Sequence, residues 1–216
     1  MFRLGSFRLL RSTKASAAGL RYLCGAAFPS KVRRKLRRTA ADDRYHRRRG
    51  KILRRLLCRC PWWIEGHLHL GLLQIETAEM QIRSGRSTGA DRHQLLEVIR
   101  VSADAVEELI DSPGIGAPGG GPNPPAELLE ARFLKAMERY LDGDLDGAFD
   151  RFSELLLPRF QVQLRREIWL LLHEYAGYAA LTVAGLPDAI KLFEAIPHGS
   201  RSDDIEKLLA TAAVPS

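Results

Sequence analysis

The amino-acid sequence predicts an all-α protein, built from stacked antiparallel helical hairpins with a basic N-terminal extension. From about residue 44 onward, apolar residues recur at steps of three and four, and no segment shows the alternation of a strand. Short turns rich in Gly, Pro and Asp separate these segments, which is typical of helices that fold back on one another. A chain of 216 residues, 45% of them apolar, is long enough to bury a substantial core.

The charge of the chain is divided unevenly. Residues 1–60 contain nineteen Lys and Arg and two acidic residues, which gives a formal charge of +17. The remaining 156 residues contain fourteen Lys and Arg and twenty-four Asp and Glu, a charge of −10, so the two parts account for the net +7. We therefore predict a basic, partly helical N-terminal arm over residues 1–60 and an acidic body.

Three roles for the arm stay open. Its first 41 residues are rich in Arg, Ser and Ala and contain no acidic residue, which is the composition of an organelle transit peptide. The same composition suits an arm that binds nucleic acid, or one that lies on an anionic membrane, where Phe2, Leu9, Leu20 and Leu23 would add apolar contacts. The expected location is therefore the cytoplasm, either free or peripheral on a membrane, with import into an organelle as the alternative.

The cysteine count and the lengths of the apolar runs argue against a disulfide-bonded protein and against a membrane-spanning one. Three cysteines form no disulfide framework, which favours a reducing compartment. Charged residues interrupt every apolar run before it reaches the length of a membrane span. We predict no transmembrane helix.

The first two helices follow from their apolar stripes. One is expected from about Arg44 to Leu57, with the apolar stripe opposite Arg54 and Arg55. Pro61 is expected to open the next helix, because its missing N–H costs little in a first turn. That helix should end near Gly85. The apolar stripe of the first helix consists of Ile52, Leu53, Leu56 and Leu57, and the second helix carries Trp62, Gly66, Leu70, Leu73 and Thr77.

A third helix completes a first, degenerate hairpin over residues 61–112. Asp91 is expected to be its N-cap, and Leu95, Ile99, Ala103, Val106 and Ile110 share one face. Residues 113–125 follow as a flexible loop, because ten of these thirteen residues are Gly or Pro.

Two further hairpins and a C-terminal capping helix are predicted over residues 126–216. In the first hairpin, the helices flank the turn Asp142-Gly143-Asp144, and in the second they flank Ala184-Gly185, with Pro187 in a first helical turn. Ser202 is expected to cap the final helix, whose first turn is acidic.

The two hairpins show an internal repeat. Four pairs of similar residues are related by a fixed offset of 41: Ala136 and Gly177, Ala148 and Ala189, Phe152 and Phe193, Leu155 and Ile196. Small residues at the first two pairs allow helices to cross closely, and the Phe pair fills the space between them. This pattern resembles the tetratricopeptide repeat family. The aromatic and small residues Trp62 and Gly66 resemble the start of a first helix of that family, so both Trp62 and Trp63 are expected in the core.

The resemblance implies a fold, a function and two sets of residues. It implies a solenoid of stacked hairpins that presents a groove to a protein or peptide partner. The residues expected to pack the repeats are Trp62, Gly66, Ala136, Ala148, Phe152, Gly177, Ala189 and Phe193. The residues expected to line the groove are Glu130, Phe133, Met137 and Tyr140 in one unit, and Leu171, Glu174, Tyr178 and Leu181 in the next.

The sequence contains only incomplete matches to catalytic or metal-binding motifs. Cys58, Cys60, His67 and His69 lack the spacing of a zinc site, and two histidines two residues apart on a helix point to nearly opposite sides. The Gly-rich pattern at residues 114–119 lacks the preceding strand that a dinucleotide-binding turn needs. Turn and N-cap roles explain the carboxylates at residues 142, 144, 146 and 150 better than calcium binding does.

We therefore expect a non-enzymatic interaction module or scaffold without a cofactor or metal. The alternative is an adaptor whose basic arm binds an anionic membrane surface or nucleic acid as its main activity. An enzyme with a site spread over several helices is a third possibility. The oligomeric state stays open.

Overall fold

The structure is a computed structural model that describes residues 41–84, 89–112 and 124–212. All regular structure in these ranges is helical, which confirms the prediction of an all-α protein. The nine α-helices of these ranges are α1 Ala41–Arg59, α2 Ile64–Ser84, α3 Gly89–Asp111, α4 Ala126–Asp142, α5 Leu145–Leu155, α6 Pro158–Gln161, α7 Arg166–Val183, α8 Leu186–Ala195 and α9 Asp203–Ala212. The predictions for residues 1–40 and for the Gly-rich pattern at 114–119 lie outside the described residues.

Helix α1 belongs to the helical body. Its apolar stripe packs against α2, and Leu53 and Leu57 are buried there. His46 and Arg49 are also buried on this side. The prediction that the arm extends to residue 60 is therefore wrong, because apolar side chains that face α2 make α1 part of the fold.

The connection between α1 and α2 differs from the prediction. Pro61, Trp62 and Trp63 form a turn, and α2 begins at Ile64 rather than at Pro61. The backbone N–H of Trp63 donates to the carbonyl of Cys60, which closes this turn. A proline suits a tight turn as well as a first helical turn, so the residue type alone does not separate the two.

Helix α3 packs along α2 and then against α4. It begins at Gly89, so Asp91 lies inside the first turn and is not the predicted N-cap. Its buried face contains Leu96, Ile99, Ala103, Val106 and Ile110, with Ser102 between them.

Helices α4 and α5 form a hairpin. Gly143 ends α4 with φ 95°, a left-handed conformation that favours glycine. Asp144 is the N-cap of α5, where its carboxylate accepts a hydrogen bond from the backbone N–H of Gly147 at 3.0 Å and one from Arg139 at 2.9 Å. Asp144 therefore has the turn and N-cap roles that were predicted for it.

Helices α7 and α8 form a second hairpin with a similar turn. Gly185 has φ 97°, and Pro187 lies in the first turn of α8 as predicted. Ser202 precedes α9, and its hydroxyl accepts a hydrogen bond from the backbone N–H of Ile205 at 3.5 Å. The side chain of Ile205 is fully buried and joins α9 to the core of this hairpin.

One element was missed by sequence reasoning. The segment between α5 and α7 contains the single-turn helix α6, which begins at Pro158. Phe160 and Leu164 of this segment are buried in the core. Pro158 was the available indication, since proline is frequent in a first helical turn.

The order of contacts is regular along the chain. Neighbouring helices pack on each other from α1 to α5, α5 packs on α7, and α7 to α9 continue in the same way. In addition, α2 contacts α4 and α4 contacts α7. The main core lies between these helices, and a smaller one lies between α7, α8 and α9.

Candidate functional site

The groove predicted on α4 and α7 is largely filled by the protein itself. Phe133 and Met137 have no exposed surface, and Leu171 is buried as well. The ring of Phe133 lies 6.2 Å from the ring of Phe152, centroid to centroid. The assignment of these three residues to a partner-binding surface is wrong, because in the folded protein they contact other helices.

Glu130 is also unsuited to an open groove. Its carboxylate is buried and forms a two-point ion pair with the guanidinium of Arg165, which precedes α7. Burial raises the pKa of Glu130, and the hydrogen bond and charge of Arg165 offset part of this effect. The role that the structure supports for Glu130 is therefore to connect α4 with the start of α7.

The other four groove residues keep part of their surface. Tyr140, Glu174, Tyr178 and Leu181 are half-buried. The ring of Tyr140 packs edge-on against Tyr175 at 5.3 Å, so it connects α4 to α7. The ring of Tyr178 packs in the same way against Phe193 at 5.3 Å, and its hydroxyl lies 3.4 Å from that of Ser202.

One of the residues expected to pack the repeats, Trp62, does not do so. Trp62 is 57% exposed and precedes α2, so it is not a core residue. The neighbouring Trp63 covers Gly66 instead, since a methyl group on Gly66 would lie 2.7 Å from Cδ2 of the Trp63 ring. The remaining residues of this set are all buried: Gly66, Ala136, Ala148, Phe152, Gly177, Ala189 and Phe193.

The two histidines of the opening Cys and His segment have separate surroundings. His67 forms a hydrogen bond of 2.8 Å with the carbonyl of Pro61, across the turn before α2. Burial, together with the nearby guanidinium groups of Arg165 and Arg49, lowers the pKa of His69 from 6.5 to about 4. Cys58 is an exposed free thiol and Cys60 is a half-buried one. Within the described ranges, no three potential ligands from His, Cys, Asp and Glu lie together.

A pocket of about 260 Å³ lies between α3, α4, α5 and α6. The amino group of Lys135, which lines this pocket, forms ion pairs with Asp104 at 2.8 Å and with Glu107 at 2.7 Å. These contacts join α3 to α4, which gives the charges a structural role. The lining residues are Glu107, Arg132, Lys135, Arg151, Glu154, Leu155 and Phe160.

The most distinctive surface is the outer side of α1. We define the cationic face of α1 as its six exposed basic residues: Arg47, Arg48, Lys51, Arg54, Arg55 and Arg59. At about 100° per residue they cover an arc of roughly 140°, and they extend over about 18 Å of the helix axis. The opposite side, with Leu53 and Leu57, packs against α2. Packing therefore fixes which side of α1 faces outward.

Among the described residues, no acidic side chain forms an ion pair with five of the six cations of this face. These five are Arg48, Lys51, Arg54, Arg55 and Arg59. Cys58 is exposed and lies within the arc, beside Lys51. No aromatic side chain belongs to the exposed side of α1 between residues 46 and 59.

Comparison with protein-family models, with curated proteins and with solved structures finds no match for this chain. Among the described helices, none combines the length and apolar character that crossing a membrane requires.

Proposed function

We propose that this chain is a non-enzymatic binding scaffold of stacked, tetratricopeptide-like helical hairpins that attaches to a polyanion through the cationic face of α1. The scaffold part rests on the order of helix contacts. The pairs α2 and α3, α4 and α5, and α7 and α8 each pack together, and the first helices of successive pairs also contact one another. In a repeat protein, each unit contacts its neighbours in this way.

The observation that carries the binding function is that five exposed cations of a packed helix form no ion pair with an acidic side chain of the described residues, namely Arg48, Lys51, Arg54, Arg55 and Arg59. Like charges three and four residues apart destabilise a helix by about 0.2–0.5 kcal/mol per pair. The packing of α1 on α2, with Leu53 and Leu57 buried, holds these charges in place despite that cost. A bound polyanion would remove the repulsion and release its own counterions.

The sequence that precedes α1 has charge of the same sign. Residues 1–40 contain eleven Lys and Arg and no acidic residue. A segment of this composition adds electrostatic attraction to a polyanion.

The test compares two triple variants of the full chain on heparin, used as a general polyanion. Lys51→Gln/Arg54→Gln/Arg55→Gln removes three charges from the cationic face of α1. The matched control, Arg132→Gln/Arg166→Gln/Lys207→Gln, removes three charges from exposed residues of α4, α7 and α9. The first variant should elute at clearly lower salt than the control. Equal elution of the two variants would contradict the proposal, because net charge alone would then explain retention.

A protein partner is the second candidate function. Tyr140 of α4 and three residues of α7, Glu174, Tyr178 and Leu181, keep accessible surface. A photo-cross-linker placed at Glu174 should capture a partner in cells, whereas the same group at Ala210, an exposed residue of α9, should not. Cross-links of equal yield from both positions would indicate random encounters.

A further inference from the structure

We propose that the cationic face of α1 binds in the major groove of duplex DNA and contacts the phosphates of both strands. This inference rests on the proposed function and specifies the polyanion. An α-helix with its side chains is about 10–12 Å across, and the major groove of B-DNA is about 12 Å wide. A helix that is packed on one side only can therefore present its other side to the groove.

The arrangement of charges around α1 fits two walls of phosphates. On a helical projection with about 100° per residue, Arg47 and Arg54 lie at one edge of the arc, and the other edge holds Arg48, Arg55 and Arg59. Lys51 and Cys58 lie between the two edges. Each edge can then face one strand, while the centre faces the floor of the groove.

Arginine is the dominant cation on this face, since five of its six residues are Arg and one is Lys. A guanidinium group can donate two parallel hydrogen bonds to a phosphate, which a lysine amine cannot. The central residues offer little base recognition, because one lysine and one thiol form few specific pairs with base edges. We expect binding with low sequence selectivity.

Other polyanions fit this face less well. An interfacial membrane helix buries its apolar side in the bilayer, but Leu53 and Leu57 of α1 are buried against α2. Single-stranded nucleic acids bind through aromatic stacking, and the cationic face contains no aromatic residue. Double-stranded RNA has a deep, narrow major groove that side chains do not read. Duplex DNA is the polyanion whose major groove is wide enough to accept the exposed side of α1.

The test uses the full chain with a DNA duplex of about 20 base pairs, longer than the roughly 18 Å cationic face. RNA duplexes and single strands of the same sequence, vesicles containing phosphatidylserine, and heparin are the comparison probes. The DNA duplex should bind more tightly than the RNA duplex and the single strand. The Lys51→Gln/Arg54→Gln/Arg55→Gln variant should bind DNA on the order of 10- to 100-fold more weakly at moderate salt, and its log–log salt slope should fall by about 2–3. The Arg132→Gln/Arg166→Gln/Lys207→Gln control should retain the affinity and slope of the wild type.

Cys58 provides a direct report on the position of the DNA. Its exposed thiol should react with a maleimide in the free protein and be protected when DNA is bound. Cys60, which is half-buried just beyond α1, serves as the internal reference in the same mass spectrum. Circular dichroism of both triple variants checks that their helices are intact.

The possible outcomes separate this inference from the proposed function. Equal affinity for DNA, RNA and vesicles, or DNA binding without protection of Cys58, overturns the groove assignment and leaves polyanion binding in place. Preference for vesicles over DNA also overturns the groove assignment, and it identifies an anionic membrane as the polyanion. If no probe binds, heparin included, both the inference and the proposed function are wrong.

Discussion

Phe193 of α8 lies directly over Gly177 of α7, so that a methyl group at residue 177 would come within 2.8 Å of ring atoms Cδ1 and Cζ. Phe193 has no exposed surface, and Tyr178 packs against its ring at 5.3 Å. The ring has little room to move away. The close crossing of α7 and α8 therefore depends on the absence of a side chain at residue 177.

Gly177→Ala should destabilise the protein although alanine favours a helix by about 1 kcal/mol over glycine. Overpacking costs about 1–3 kcal/mol, and the rigid neighbour places this site toward the upper end. Thermal and urea unfolding of Gly177→Ala and of Gly199→Ala, an exposed glycine with no neighbour within 4 Å, would measure the difference. A smaller loss in Gly177→Ala/Phe193→Leu than the sum of the two single losses would show direct coupling. Unchanged unfolding of Gly177→Ala would contradict the crossing.

Replacement of Arg165 should expose the cost of the buried carboxylate of Glu130. Arg165→Met should lower the free energy of unfolding by about 3 kcal/mol, since a buried charge is left without its partner. Arg166→Met, a change of the exposed neighbouring arginine, is the control. Addition of Glu130→Gln to Arg165→Met should recover much of the loss, because the buried charge is then absent. No recovery in the double variant would show that Arg165 acts by packing alone.

This effect should depend on pH. Burial raises the pKa of Glu130, so the folded state holds the proton more tightly than the unfolded state does. Stability therefore falls as pH rises above the usual pKa of a glutamate, and the loss of Arg165 enlarges this fall. Urea titrations should show Arg165→Met closer to the wild type near about pH 5 than near about pH 7. A larger deficit at the lower pH would have the wrong sign.

His69 should make the protein sensitive to mild acid. Its pKa is lowered from 6.5 to about 4, so it is neutral when folded and takes up a proton on unfolding between these values. Its contribution to stability is complete above pH 6.5 and is lost as pH falls toward about 4, amounting to about 3 kcal/mol.

His69→Gln should flatten the unfolding free energy over this range of pH. His93→Gln, which changes an exposed histidine of α3, should leave the profile as it is in the wild type. His173, whose pKa burial also lowers, will retain part of the acid sensitivity in both variants. Identical profiles for His69→Gln and the wild type would show that His69 is hydrated in the folded protein.

The assignment of α1 to the helical body predicts a large effect of Leu53. Leu53→Ala should lower the free energy of unfolding by about 2–5 kcal/mol, because the side chain is fully buried against α2. Leu186→Ala, at a residue that is 47% exposed, should change it by about 0.5 kcal/mol or less. If Leu53→Ala unfolds like the wild type, α1 is not held against α2 in solution.

The two adjacent tryptophans should respond differently to truncation. Trp63→Ala removes the ring over Gly66 and should cost about 1–3 kcal/mol. Trp62→Ala should cost little, since the side chain is 57% exposed. The reverse order in chemical unfolding would restore the interpretation of Trp62 as a core residue.

Particular residues show why the sequence predicts helices better than surfaces. Gly143, Asp144 and Pro187 mark turns and caps, whose rules involve only residues close in the chain. The sequence alone predicted both hairpins for this reason. The start of α2 was misplaced because a proline fits a turn and a first helical turn equally well.

The site was less predictable. Phe133 and Met137 show an apolar face of α4, but periodicity does not say whether that face meets another helix or a partner. In the structure both are fully buried, while Tyr140 on the same helix keeps part of its surface. The sequence shows that α1 has a basic and an apolar side, and it does not show what covers the apolar side.

By itself, the sequence determined the helical class, the hairpin turns and the concentration of positive charge near the amino terminus, because these depend on local periodicity, capping and composition. Tertiary structure decided which apolar faces are enclosed. It buried Leu53 and Leu57 on the side of α1 that packs on α2, and so turned the six residues of the cationic face outward. It also paired Glu130 with Arg165 across 35 positions of the chain. Such contacts depend on how helices distant in sequence pack together, which no local pattern specifies.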